Sequence, residues 1–239
     1  MESSRKQSEI IGMFDQIAGS YDLVNRVLTF GIDRNWRRRG VKLLLPLLPR
    51  REGVVVDVAC GTGEILELLQ LERERRHFPR RLTLYGVDPS REMLKLAQRR
   101  IPTAQLVEGE AGAIPLPSHS ADAVTIGFGL RNVVEIERGL EEFYRILKRF
   151  GYLLILEFTR PETPSMLGRA VQFYTSKILP IVGGLLSRNG KAYRYLPDSI
   201  AHFYSQSQLV KLVETHNFRL VHRESLNFGQ VSLLLFQKR

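Results

Sequence analysis

Ten residues, Val54 to Gly63, read VVVDVACGTG and constrain the fold more than any other stretch of the chain. Val54 to Ala59 is apolar except for Asp57, the pattern of a strand buried on both faces. It breaks into Cys60-Gly61-Thr62-Gly63 and then into Glu64-Ile65-Leu66-Glu67-Leu68-Leu69, whose apolar positions recur at helical spacing. Strand, glycine turn and helix make a nucleotide-type pocket, because glycines let a ligand approach the backbone and a helix N-terminus offers free N–H groups. The dinucleotide fingerprint would place a third glycine three residues after Gly63, where this chain has Leu66. An acid at the end of the strand, Asp57, stands four residues before Gly61 instead.

The form D-x-x-x-G-x-G, made here by Asp57, Gly61 and Gly63, resembles motif I of class I methyltransferases that use S-adenosylmethionine. A carboxylate there suits the ammonium group of that ligand, which a nicotinamide dinucleotide lacks. Leu82 to Asp88 reads as a second strand ending in an acid, thirty-one residues after Asp57. That distance holds one helix and a parallel return. A carboxylate at the tip of this strand can accept both ribose hydroxyls of a nucleoside. Ser90 caps a helix that carries Met93, Leu94, Leu96 and Ala97 on one face, with Met93 placed either in the core or against an adenine. Ala104 to Val107, a third strand, leads to Glu110 and Ala111, candidates for the adenine amino group and a ring nitrogen.

The fourth strand, Ala121 to Ile126, ends in Gly127-Phe128-Gly129-Leu130-Arg131-Asn132-Val133, at the carboxyl edge where α/β sheets bind ligands. A helix over Glu141 to Lys148 and a fifth strand over Tyr152 to Glu157 follow. Alternation through residue 158 predicts a parallel α/β sheet with right-handed crossovers. The expected division is a helical extension or lid over 1–50, a cofactor-binding core over 51–159, a helical insertion capping the substrate over 160–203, and the rest of the core over 204–239. The insertion is marked by Pro161, Pro164, Pro180 and Gly183-Gly184 within an apolar segment containing Phe173, Tyr174, Ile178 and Ile181. The last part reads as a helix over Gln206 to Thr215 and strands over Phe218 to Ser225 and Gln230 to Phe236.

Composition narrows the class. One cysteine excludes an internal disulfide framework and a multi-cysteine zinc site. A polar N-terminus and apolar runs too short to span a bilayer lead one to expect a cytoplasmic protein. The net charge of +10 comes largely from Arg34, Arg37, Arg38, Arg39 and Lys42, with Arg50 and Arg51 and a group from Arg73 to Arg81. Such a surface suits a solvated face, an anionic membrane face or nucleic acid equally.

Several further blocks carry a more specific resemblance. They are Phe14 through Tyr21-Asp22-x-x-Asn25, Gly31-Ile32-Asp33-Arg34-x-Trp36, Phe128-Gly129-Leu130-Arg131-Asn132-Val133, Leu156-Glu157-Phe158, and Tyr193-Arg194-Tyr195-Leu196-x-x-Ser199-Ile200. With motif I they resemble, in order and over nearly the whole chain, the menaquinone/ubiquinone-biosynthesis C-methyltransferases, typified by demethylmenaquinone methyltransferase. The resemblance implies a class I, Rossmann-like sheet of seven strands with the last antiparallel. It also implies methyl transfer from S-adenosylmethionine to a ring carbon of a prenylated hydroquinone. Cofactor contacts carry over to Thr62, Asp88, Glu110, Ala111 and Gly127, beside Asp57, Gly61 and Gly63; no metal is implied. The chain departs from the family where Gly127 replaces a serine and Glu110 a shorter acid or amide. Other departures are Lys148-Arg149-Phe150-Gly151, which lacks a proline-glycine turn, and Leu226-Asn227-Phe228-Gly229-Gln230 of the final hairpin, which lacks the family's usual histidine.

Methylating a ring carbon requires an electron-rich ring, which ionisation of an ortho hydroxyl provides. Arg131 is the expected stabiliser of that phenolate and Asn132 its orienting group. Tyr21, Asp33, Glu157 and His202 stand as alternatives for the base. The expected partners are a prenylated quinol or another small molecule and peripheral contact with the membrane face; a homo-oligomer is compatible with the sequence, and nucleic acid is not expected. The rival readings are a methyltransferase for another small molecule, an RNA methyltransferase, and a cofactor-binding partner without activity.

Overall fold

The computed structural model describes residues 2–76, 81–162, 166–174 and 190–239. Helices α1 (Glu2–Leu28) and α2 (Ile32–Leu44) precede β1 (Glu52–Val58), α3 (Glu64–Arg76), β2 (Arg81–Asp88), α4 (Arg91–Arg100), β3 (Gln105–Glu108) and β4 (Ala121–Gly127). Then come α5 (Ile136–Ile146), β5 (Leu147–Phe158), α6 (Met166–Phe173), α7 (Gly190–His202), α8 (Gln206–Thr215), β6 (Phe218–Leu226) and β7 (Val231–Lys238). The seven strands form one sheet in the order β3-β2-β1-β4-β5-β7-β6. β7 pairs antiparallel with both β5 and β6, and every other pairing is parallel. Strand order reverses between β1 and β4, which opens a crevice at the carboxyl ends of the central strands.

The strands are apolar because both sheet faces are covered. Val56, Val58, Leu153, Ile155, Leu234 and Phe236 pack on one side with Leu140 and Phe143 of α5 and Leu209 and Val213 of α8. Val55, Leu154, Leu156, Leu233 and Leu235 point the other way, onto Val41 and Leu44 of α2 and Leu66 and Leu69 of α3. The period of two along each strand divides the chain into two cores. Local signals set the helix starts. Ser90 Oγ accepts the Met93 N–H at 3.1 Å, and Ser205 with Gln208 forms a capping box at α8.

The expected helix over 141–148 is displaced: α5 ends at Ile146 and the chain enters β5 at Leu147. Leu140, Phe143 and Ile146 complete the buried helix face, and Leu147 already pairs with Ala121. The four residues Lys148 to Gly151 are absorbed as an irregularity in that pairing, with Phe150 at φ +64°. Of the proposed insertion, Ile178, Ile181 and their neighbours over 175–189 lie outside the described residues, as does Arg80 of the basic group.

Candidate active site

A cavity of about 420 Å³ opens at the crevice, inside the roughly 300–1,000 Å³ typical of small-molecule sites. Its floor comes from the loops after β1, β2, β3 and β4: Ala59 and Gly61, Asp88, Glu110 and Ala111, and Gly127 to Gly129 with Asn132. Its roof is α1. Gln7, Ile10, Ile11, Phe14 and Tyr21 all face inward, at spacings of three, four and seven residues that keep them on one helical stripe.

The glycine turn is bare backbone. Gly61 has φ +54°, and a Cβ there would meet no atom within 4 Å, so the chain presents open space to a ligand. Asp88 Oδ2 accepts the Gly61 N–H at 2.8 Å and Oδ1 accepts that of Ser90 at 2.9 Å. Each carboxylate oxygen keeps acceptor capacity on the cavity wall, which fits the vicinal hydroxyls of a ribose. Burial pushes the Asp88 carboxyl up to about 6, against the two backbone hydrogen bonds that favour its ionised form. Met93 and Ala111 add apolar wall suited to a flat base. A bare turn, a diol-accepting carboxylate and an apolar slot fit S-adenosylmethionine.

Of the residues singled out in the sequence, Gly61, Asp88, Glu110, Ala111, Gly127 and Asn132 stand together on the cavity wall. Asp57, Thr62, Gly63 and Arg131 are not among the lining residues; they stand behind the wall and support it. Asp57 is buried between β2 and β4, where Thr125 Oγ1 donates to it at 2.6 Å, and burial pushes its carboxyl up to about 7. Thr62 turns its hydroxyl to Asp22 of α1 at 2.7 Å. Gly63, at φ +82°, admits α4, since a Cβ would stand 3.2 Å from that of Ala97. Gly127 is tighter still: a Cβ there would meet Ile65 Cδ1 at 2.5 Å.

Arg131 is turned into the sheet edge. Its Nη1 donates to Glu157 Oε1 and to the Phe128 carbonyl, both at 2.6 Å, and its guanidinium lies 5.6 Å from the Phe158 ring centre. The side chains of the pair are 6% and 0% exposed, and Arg131 Nε has no hydrogen-bond partner among the described residues. Asn132, next in the chain, is on the wall, and the Tyr195 hydroxyl donates to its Oδ1 at 3.2 Å.

Of the four groups considered for proton transfer, Tyr21 alone lines the cavity. Burial raises its phenol above the usual value, while the charges of Arg131 and Arg37 pull the other way. Asp33 is committed to Arg26, Arg37 and Thr29. Glu157 is committed to Arg131 and to the Phe158 N–H. His202 bonds the Asp198 carbonyl on an exposed stretch of α7.

The sequence predicts a lid over 1–50 without marking which of its residues face the site; Gln7, Phe14 and Tyr21, spaced seven apart on one face of α1, are the ones it misses. The basic group on α2 is largely spent on internal pairs. Arg37 and Arg26 bridge Asp33 and Glu64, Arg38 reaches Glu72 and Arg39 reaches Glu224. The acid and base at Asp33 and Arg37, four residues apart on a helix, were the available signal. Arg37 also stacks 4.9 Å above Phe128, within a cluster of Trp36, Phe128 and Phe158.

Comparison with known proteins gives the same architecture. A solved structure from Thermotoga maritima, described as a SAM-dependent methyltransferase and possible histamine N-methyltransferase, superposes with a TM-score of 0.65 at 23% identity, covering 96% of this chain and all of that one. That likeness concerns the fold. Sequence relatives reach further. The ubiquinone/menaquinone biosynthesis C-methyltransferase UbiE of Campylobacter jejuni (strain 81-176) is 38% identical over 98% of this chain and 99% of its own length. Demethylmenaquinone methyltransferase of Thermotoga maritima is 39% identical over 87% of each. The model of the ubiE/COQ5 methyltransferase family matches residues 1–238. The chain belongs to the ubiE/COQ5 methyltransferase family and is a methyltransferase that uses S-adenosylmethionine.

Proposed function

We propose that the chain methylates a ring carbon of a prenylated hydroquinone, demethylmenaquinol or a ubiquinol precursor. The observation that carries this reading is the continuity of one cavity wall. It runs from the Gly61 and Asp88 groups that fit a nucleoside to Tyr21, Phe128 and Asn132, an aromatic and amide surface backed by two buried arginines. Relatives of 38–39% identity with names in quinone biosynthesis support the same substrate class.

When bound, S-adenosylmethionine supplies an electrophilic methyl group on a sulfonium. The chain's residues do the rest. Asp88 and Gly61 would hold the nucleoside end, and Met93 and Ala111 offer apolar wall for the base. Asp57, behind the turn, fixes the end of β1 by accepting from Thr125, and Thr62, Gly63 and Gly127 keep the turn close to α4 and α3. An aromatic ring gains density at carbon when an adjacent hydroxyl loses its proton, and positive charge behind the wall favours that anion. Arg131 and Arg37 supply it from within the protein, where screening by water is weak. Asn132, its Oδ1 already accepting from Tyr195, presents its amide to orient the substrate oxygen. Tyr21 is placed to hold or pass the proton.

At the corner between α1 and α2, Leu23, Val27, Phe30 and Ile32 are exposed, and Phe30 is 78% accessible. We place the prenyl tail and the membrane face there, so the enzyme meets its substrate by peripheral contact. Among the described residues no helix is long and apolar enough to cross a membrane.

Transfer of labelled methyl groups from S-adenosylmethionine to a panel of demethylated naphthoquinols and benzoquinols tests the reading. A methylated quinol from the wild type, lost in Asn132→Ala and Asp88→Ala, is expected. A protein that binds S-adenosylhomocysteine yet methylates no quinol refutes it.

A further inference from the structure

The pair Tyr21-Asp22 is one of the sequence blocks, and Tyr21 lines the cavity, yet Asp22 does not. Its carboxylate accepts the Thr62 hydroxyl at 2.7 Å through Oδ1 and Arg100 Nη2 at 2.5 Å through Oδ2. Arg100 Nη1 closes the triangle by donating to Thr62 Oγ1 at 3.0 Å. Three elements meet at this point: α1 through Asp22, the glycine turn through Thr62, and the last residue of α4 through Arg100. Thr62 is 3% exposed, so the triangle shields one of its corners fully from water.

A second tie stands seven residues earlier on α1, where Ser90 Oγ donates to Asp15 Oδ1 at 2.5 Å. Seven residues are nearly two helical turns, so Asp15 and Asp22 share a face of α1 and grip the two ends of α4. That face is adjacent to the stripe carrying Phe14 and Tyr21 over the cavity. The same helix thus seals the cavity with one stripe and holds the cofactor turn with its neighbour.

We propose that Asp22 is a positioning residue: through Thr62 and Arg100 it couples the seating of α1, and with it Tyr21, to the closed form of the glycine turn. Thr62 then serves the nucleoside site indirectly, with its hydroxyl committed to α1. A ligand that settles the Gly61 turn stabilises α1, and an α1 held by Asp22 stabilises the bound ligand. The two effects are equal by linkage. The inference rests on the cofactor reading of the cavity.

The test uses the full chain and S-adenosylhomocysteine as the probe. Calorimetric titration and amide hydrogen exchange of residues 5–25 are followed in wild type, Asp22→Asn, Thr62→Val, Thr62→Ser and Arg100→Met. Loss of one charge-assisted hydrogen bond corresponds to an increase in Kd of about tenfold. That increase is expected in Asp22→Asn, Thr62→Val and Arg100→Met, together with loss of the ligand-induced slowing of exchange in α1. Thr62→Ser, which keeps the hydroxyl, is expected to retain both. A role confined to folding would lower the melting temperature equally with and without the probe, leaving Kd and α1 protection unchanged, and would overturn the proposal. If Asp22→Asn does not fold, the Thr62→Ser and Thr62→Val comparison decides. Failure of the folded wild type to bind the probe would overturn the cofactor reading, and the coupling with it.

Discussion

Arg131 and Glu157 offer a way to separate stability from catalysis at one pair. Both side chains are withdrawn from water, and the 2.6 Å contact joins their charges. Replacing Arg131 by Met leaves a buried carboxylate that keeps only two backbone donors, Arg131 N at 3.1 Å and Phe158 N at 2.8 Å. Breaking a buried pair from one side costs about 3–5 kcal/mol. The two surviving donors put the expected loss near the lower end, about 3 kcal/mol. For a chain of this size each kcal/mol is worth about 2–4 °C, so Arg131→Met should melt about 6–12 °C below the wild type. The double variant Arg131→Met/Glu157→Leu removes both charges and should recover at least half of that loss. Calorimetric melting without ligand reads both numbers. Methyl transfer is then measured on the double variant at a temperature where it is folded. If the positive charge behind the cavity wall stabilises the substrate anion, turnover stays down by about 100-fold or more despite the recovered stability. Additive melting losses would refute the coupling, and wild-type turnover in the double variant would remove Arg131 from the chemistry.

The raised carboxyl of Asp57 gives stability a definite slope with pH. Its folded value of about 7 lies above an unfolded value near 3.9, so between those limits the folded chain binds a proton that the unfolded chain has released. The resulting contribution is complete below about pH 4 and is lost as pH rises through 7. Asp57→Asn, which can still accept from Thr125, should therefore gain stability relative to the wild type between pH 5 and 8 in ligand-free urea denaturation; a constant difference would contradict the assignment. Gly86, at the centre of β2, leaves no room for a methyl group: a Cβ would stand 2.7 Å from Leu106 Cδ2 and 2.9 Å from both Cys60 Sγ and Leu66 Cδ1. Gly86→Ala should cost about 1–3 kcal/mol through overpacking, and a melting temperature equal to that of the wild type would disprove the clash.

The parts of the molecule that could be read from sequence share a physical cause. β1, β2, β4 and β7 are mostly apolar because both faces are covered, and the glycine turn and the acid at Asp88 follow a backbone requirement that few residues meet. Such constraints act within a few residues of one another, so they leave a local mark. Arg131 shows the opposite case. At the end of β4 its charge and its place beside Asn132 point to the cavity, but its direction depends on Glu157, twenty-six residues away and on the neighbouring strand. Nothing near Arg131 in the chain records that partner.

The same distinction explains α1. Its cavity stripe was legible as a period, yet a period says only that a face is covered, and here the cover includes a cavity. Its polar contacts lie forty residues away at Thr62 and seventy-eight away at Arg100. They are a hydroxyl hydrogen bond and an ion pair between side chains that would pass for ordinary surface residues in sequence. A polar tie of that kind contributes little to folding and can be formed or released without unpacking a core. On α1 such ties stand beside an apolar seam of Ile10, Ile17 and Val24, buried and seven residues apart, so the seam seats the helix while the polar pairs set its register on the glycine turn and α4.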